Sequence, residues 1–172
     1  MKKYIWQLTE IPKSKNKKFG EGGKRTKGIL KKKPLFSVIT VVYNGEKFLE
    51  KTIASVINQS CKDFEYIIID GGSTDKSLKI IKKYEKKIDY WISEKDKGIY
   101  DAFNKGMIVS KGKFIGFINS DDIYKKNALS IISNYIEKNK VADFIFGSVK
   151  KHWGILHGYK PWKIYFTWGF YS

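Results

Sequence analysis

The chain has 172 residues, 42% of them hydrophobic, and a formal charge of +17. That is enough apolar material for one domain with its own core, and no apolar run nears the ~18–20 residues of a membrane-crossing helix. The charge does not make nucleic acid an expected partner: residues 1–33 hold a net +10, and Arg25 is the only arginine, whereas base and phosphate readers lean on arginine's planar fork.

Lysine clusters do suffice for attraction to an anionic membrane surface. The lone cysteine, Cys61, excludes an intramolecular disulfide and fits a reducing, cytoplasmic setting. MKKYIWQLTE has no long apolar stretch behind its lysines and does not read as a secretory signal.

In chain order, residues 1–33 are lysine- and glycine-rich with little apolar periodicity, and read as a basic N-terminal arm or irregular lead-in. LFSVITVVYN follows, a nearly continuous β-branched run that suits a strand covered on both faces. Phe48, Leu49, Ile53, Val56 and Ile57 then recur at helical spacing between Glu46 and Asn58. FEYIIID is a second buried strand, GGSTDKS a turn, and Leu78, Ile80, Ile81 and Tyr84 give the next helix its apolar face. IDYWIS predicts a third strand, residues 99–110 a helix, KFIGFIN a fourth strand, Asn127 to Lys138 a helix and DFIFGSV a fifth strand. The alternation predicts an α/β fold with a mostly parallel central sheet and flanking helices.

Ligands of such sheets sit beyond the carboxyl ends of the strands. Polar groups gather at four of those ends: Thr40-Val41-Val42-Tyr43-Asn44-Gly45, Asp70-Gly71-Gly72-Ser73-Thr74-Asp75, Glu94-Lys95-Asp96-Lys97-Gly98 and Asn119-Ser120-Asp121-Asp122. Each has a plain structural explanation as a turn or helix cap. Together they place carboxylates where a buried apolar strand ends, which requires water, a cation or hydrogen-bond donors. The chain carries no GxGxxG or GxxxxGK[ST] phosphate loop, no HExxH or paired CxxC, and no serine or cysteine partner evident for His152 and His157.

FSVITVVYNGEKFLEKTIASVINQS, FEYIIIDGGSTDKS and SEKDKGIYDAFNKGMIVSKGKFIGFINSDD resemble the family 2 glycosyltransferases of the GT-A fold, and in particular the bacterial polysaccharide (colanic-acid-type) branch. The likeness covers about residues 35–150 and makes 34–150 a nucleotide-sugar domain. It implies sugar transfer from a nucleotide sugar, UDP-linked by expectation, to a saccharide or lipid-linked acceptor, with inversion, in the cytoplasm or at the inner face of the cell membrane. Ser120-Asp121-Asp122 matches the family's DxD-type site. By resemblance Asp122 is a metal ligand, and Asp121 assists it or holds the ribose. A Mn2+ or Mg2+ ion between carboxylates and diphosphate offsets their repulsion, using hard oxygen ligands. Asp70 matches the acid that hydrogen-bonds the nucleobase. Thr40, Val42, Tyr43 and Asn44 match the segment lining the base pocket, and Asp96 and Asp101 lie where relatives contact the nucleotide.

The pattern departs from the family in two places. Relatives usually carry two acids where this chain has Asp70-Gly71. The general base expected for an inverting enzyme is not visible: after Asp122 the acids are Glu137 and Asp143, and neither lies in an acidic acceptor-side motif. The expectation is therefore a donor-binding half followed, over 151–172, by the start of a truncated acceptor-side segment. Trp153, Trp162 and Trp168 there either stack on sugar faces or form strands that pack against a further segment. A non-catalytic nucleotide-sugar-binding unit is the competing reading, and a nucleotidyltransferase is disfavoured because YNGEKF is a poor phosphate loop.

Overall fold

The computed structural model of the chain describes residues 17–29, 33–139, 144–147 and 168–171. The five expected strands are present as β2 (Phe36–Val42), β3 (Phe64–Asp70), β4 (Tyr90–Glu94), β5 (Phe114–Asn119) and β6 (Phe144–Gly147). The four expected helices are α1 (Leu49–Ile57), α2 (Ser77–Lys83), α3 (Ile99–Val109) and α4 (Ala128–Lys138). Two further strands, β1 (Lys18–Gly22) and β7 (Trp168–Tyr171), complete a seven-stranded sheet in the order β1-β4-β3-β2-β5-β7-β6.

β2, β3, β4 and β5 are mutually parallel. Every residue of β2 and β3 is buried, as strands covered on both faces must be. One layer holds Leu49, Ile53 and Val56 of α1, Ile81 of α2 and Leu129 of α4 against Phe36, Val38, Tyr66, Ile68 and Ile118. The other holds Ala102 of α3 against Ile39, Val41, Ile67 and Ile69. Each such aliphatic side chain contributes about 1.5–3 kcal/mol on burial, so both faces anchor the strand ends firmly.

Part of the expected arm is built into the sheet. β1 pairs antiparallel with β4, and a short 3-10 turn follows at Arg25–Lys27. Low apolar periodicity does not forbid a strand whose hydrogen bonds come from an existing edge. Arg25 donates to the Val109 carbonyl at 2.6 Å and pairs with Glu65, which also accepts from Ser37 and from the Lys111 amide at 2.6 Å. The sole arginine is thus committed inside the molecule. At the other end of the chain, β7 pairs with both β5 and β6, so residues 168–171 pack within this chain's own sheet. Trp153, Trp162, His152, His157 and Asp143 lie outside the described residues. Glu137 is exposed on α4. No helix among the described residues is long and apolar enough to cross a membrane.

Candidate functional site

β3 and β4 lie on one side of β2, and β5 lies on the other. The order in which successive parallel strands are laid down therefore reverses between β2 and β5, and the crevice at such a switch point is where open parallel sheets bind ligands. The loops leaving β2 and β5 flank it. A Cβ placed on Gly45 would stand 3.1 Å from the Ser120 hydroxyl oxygen, so these loops touch.

The four polar strand ends form one interlocked rim. Asn44 has a left-handed φ of 50°, a conformation asparagine tolerates better than most residues. Its amide donates to the Ser73 hydroxyl at 2.8 Å, and its side-chain oxygen accepts from the Thr74 amide at 2.8 Å. The Gly45 amide donates to the Ser77 hydroxyl, the Glu46 amide donates to the Asp75 carboxylate, and the Glu46 carboxylate accepts from the Lys76 amide across the same gap. Burial acts to raise the Asp75 pKa, but the Ser77 and Glu46 donors outweigh it and hold the carboxyl below its ordinary value. On the β5 side, the Thr52 hydroxyl of α1 lies 2.8 Å from both the Ser120 and Asp122 carbonyls and pins the turn.

The sequence-predicted residues divide into supports and open groups. Thr40 is fully buried and shares a 2.9 Å hydrogen bond with the Tyr66 hydroxyl. Val42 is a core residue whose carbonyl accepts from the Gly71 amide. Asp70 is wholly buried, with both carboxylate oxygens taken by Ser73 and Ser93; direct contact with a nucleobase requires one of those donors to let go. Asp101 opens α3 and accepts from the Lys97 amide at 3.1 Å, with the Lys105 ammonium at 3.3 Å. Burial opposes its ionisation, yet these partners keep its pKa below the usual value. Lys105 also pairs with the buried Glu94 at 2.8 Å.

Tyr43, Asp96, Asp121 and Asp122 are the open groups. Tyr43 is 65% exposed. Asp96 is half-buried and accepts from the Gly98 amide at 3.0 Å. A Cβ on Gly71 would collide with the Asp96 carboxylate. The second acid of the family pattern therefore has no room at position 71, and Asp96 occupies the space instead. Burial pushes the Asp122 carboxyl above the ordinary carboxylate range, and the neighbouring Asp121 charge pushes the same way. Its one side-chain donor is the Asn119 amide at 3.3 Å, while the Asn119 side-chain oxygen is buried without a hydrogen-bond partner.

This donor set fits a hard cation. Two carboxylate groups and an orphaned amide oxygen belong to one four-residue turn, Asn119 to Asp122, and positive charge there would relieve the repulsion between the carboxylates. Among the described residues no group of three or more His, Cys, Asp or Glu is placed to hold a metal, so water and a bound diphosphate would supply the remaining ligands, as is usual for Mg2+. Sequence reasoning missed Ser73, Ser93 and Thr52 as supports and Asn119 as a buried, unpaired acceptor. The cue for Asn119 is a polar residue directly ending an apolar strand.

Residues 37–171 match the family described as Glycosyl transferase family 2. The uncharacterized glycosyltransferase MJ1057 of Methanocaldococcus jannaschii is 35% identical over 142 residues, covering 78% of this chain and 49% of that protein. A Bacillus subtilis glycosyltransferase named for teichuronic acid biosynthesis, TuaG, is 40% identical over 100 residues, covering 56% of this chain and 40% of that protein. The crystal structure of S. aureus TarS 1-349 in complex with UDP-GlcNAc superposes with a TM-score of 0.63 and 27% identity, covering 71% of this chain and 37% of that one. The chain spans about half or less of the length of these relatives.

Proposed function

The chain belongs to glycosyl transferase family 2 and has a GT-A fold, and from that premise we propose that it binds a nucleotide sugar, UDP-linked, and passes the sugar to a saccharide or lipid-linked acceptor in cell-surface polysaccharide synthesis. The observation that carries the reading is the adjacent Asp121–Asp122 carboxylates, with the Asp122 pKa raised by burial and by Asp121, beside the unpaired Asn119 oxygen at the point where the strand order reverses. The UDP-GlcNAc complex of TarS supports the donor class, and the name of TuaG supports the polysaccharide setting.

In this reading Asp122 and Asp121 hold Mn2+ or Mg2+, which when bound offsets the charge of the departing diphosphate. Tyr43 and Asp96 border the nucleoside. Asp70 and Asn44 act by fixing the loop that carries it, and Thr52 fixes the turn that carries the carboxylates. Transfer inverts the anomeric centre by family, with the colanic-acid-type branch as the proposed lineage and the cytoplasmic face as the place. Lys76, Lys79 and Lys82 are exposed on or beside α2 and form no ion pair among the described residues, which suits attraction to anionic lipid at about 1 kcal/mol per lysine.

Calorimetric titration of UDP with and without Mn2+ tests the donor site. Binding that requires the ion supports the reading, and no binding in either condition overturns it. A second reading, a nucleotide-sugar-binding unit without transfer, is favoured by the position of Glu137. It is the only acid after Asp122 among the described residues, and it stands exposed on α4. Release of sugar on adding acceptor separates the two.

A further inference from the structure

β1 precedes the family-matched segment, which begins at residue 37, yet it is fitted to the donor edge. Its glycines lie flat on Trp91: a Cβ on Gly20 would stand 2.9 Å from the indole Cη2, and one on Gly22 would stand 2.8 Å from its Nε1. Any larger residue at either position would lift the strand off the ring. Trp91 is 2% exposed under this cover. The Glu21 carboxylate accepts from the Tyr90 hydroxyl at 2.7 Å, tying the same strand on a second side chain.

Between Lys18, which pairs with Glu94, and Gly20, which pairs with Ser93, the register slips, and the extra residue is Phe19. Bulges re-aim side chains at sheet edges and beside active sites. Phe19 is aimed at the DGGSTD loop: a Cβ on Gly72 would lie 3.0 Å from its ring carbon Cε2 and 3.4 Å from the Lys95 backbone. Gly72 has a φ of 84°, so the loop is glycine there for both conformation and space. Phe19 nevertheless remains 54% exposed. A large aromatic held by a bulge, with one side on the loop and the rest in water, presents a fixed planar surface on which a flat ligand can stack. At the adjoining Gly71 the space is filled by Asp96.

We propose that Phe19 is part of the donor site and stacks on the nucleobase, with Gly71–Gly72 as floor and the Asp96 carboxylate at the rim. This rests on the donor-site reading above and makes β1 an affinity element lying outside the family-matched segment. Stacking is sequence-tolerant, because every base has a π-face; the neighbouring carboxylate is an acceptor for a ring N–H such as that of uracil.

The test uses the whole chain with Mn2+ and three probes: UDP, uridine and inorganic pyrophosphate. Phe19→Ala is expected to weaken UDP and uridine alike, by about tenfold or more, and to leave pyrophosphate unchanged. Phe19→Trp is expected to restore UDP binding. The melting temperature of both variants should stay near that of the parent, since Phe19 is exposed. Equal UDP affinity in parent and Phe19→Ala overturns the inference while leaving the donor site standing. So does a parallel loss of pyrophosphate binding, which would mark a purely structural role. A parent chain that binds none of the three probes overturns the donor-site reading itself.

Discussion

Glu65, at the amino end of β3, and Asp122, just past the carboxyl end of β5, are both drawn out of bulk water, but their surroundings differ in kind. Glu65 is surrounded by donors: the Arg25 guanidinium, the Ser37 hydroxyl and the Lys111 amide. Asp122 has one long hydrogen bond from Asn119, a second carboxylate beside it and a pKa raised by burial. A satisfied acid belongs to the scaffold, because its ionised form is already compensated. An under-satisfied acid at a ligand edge leaves free energy to be recovered on binding a cation. The same contrast recurs within the rim, where Asp70 is saturated by serines and Asp96 is not.

The sharpest break of this comparison is Arg25→Ala. Removing one partner of a buried pair leaves Glu65 uncompensated and is expected to lower stability by about 3–5 kcal/mol, read as a fall in the unfolding midpoint. A midpoint unchanged within error would show that Glu65 is not held as described. Asp122→Asn is the mirror experiment. It should reduce Mn2+-dependent UDP affinity by at least about a hundredfold, given that even outer-shell changes cost 10–100-fold, while stability stays within about 1 kcal/mol of the parent or rises. A variant that binds UDP as the parent does removes Asp122 from the site.

Smaller effects sharpen the boundary between support and ligand. Thr52→Val removes the donor that pins the Ser120 and Asp122 carbonyls and should cost about 1 kcal/mol. UDP affinity is expected to drop severalfold although no carboxylate is touched; unaltered affinity would mean that the turn holds its shape without Thr52. Gly71→Ala should displace Asp96 and destabilise by about 1–3 kcal/mol, measurable by denaturant titration. The weakest effect concerns acid. Asp75 and Asp101 have pKa values lowered by their donors, so their stabilisation is complete above the unfolded carboxylate value of about 4 and is lost as pH falls through the folded values. Asp75→Asn should lower stability slightly at neutral pH, where that contribution is complete, and flatten the acid limb of a stability-against-pH curve below about pH 4.

Much of this was legible from residue order. FSVITVV and FEYIIID are apolar on both faces, and only a parallel sheet covered by helices on both sides accommodates that. The Asn119-Ser120-Asp121-Asp122 turn announced itself by stopping an apolar strand on two acids. β1 was not legible, because KFGEG has no apolar alternation; its stability comes from β4's hydrogen bonds and from glycine flatness over Trp91, neither of which is a local property. The roles of Asp70 and Thr40 were also hidden. Type and spacing identify an acid or a hydroxyl at a strand end, but not whether Ser73, Ser93 or Tyr66 has already occupied it.

The sequence by itself determined the α/β alternation, the strand ends at which chemistry collects, and the acids available there, since periodicity and residue type are local. Tertiary structure alone decided which acids are satisfied. It seated the arginine on Glu65, filled the place of a missing acid at Gly71 with Asp96, and brought Phe19 to the Gly72 loop. Each of these depends on groups tens of residues apart meeting within a few ångströms, and hydrogen-bond satisfaction and steric room exist only once the chain has closed.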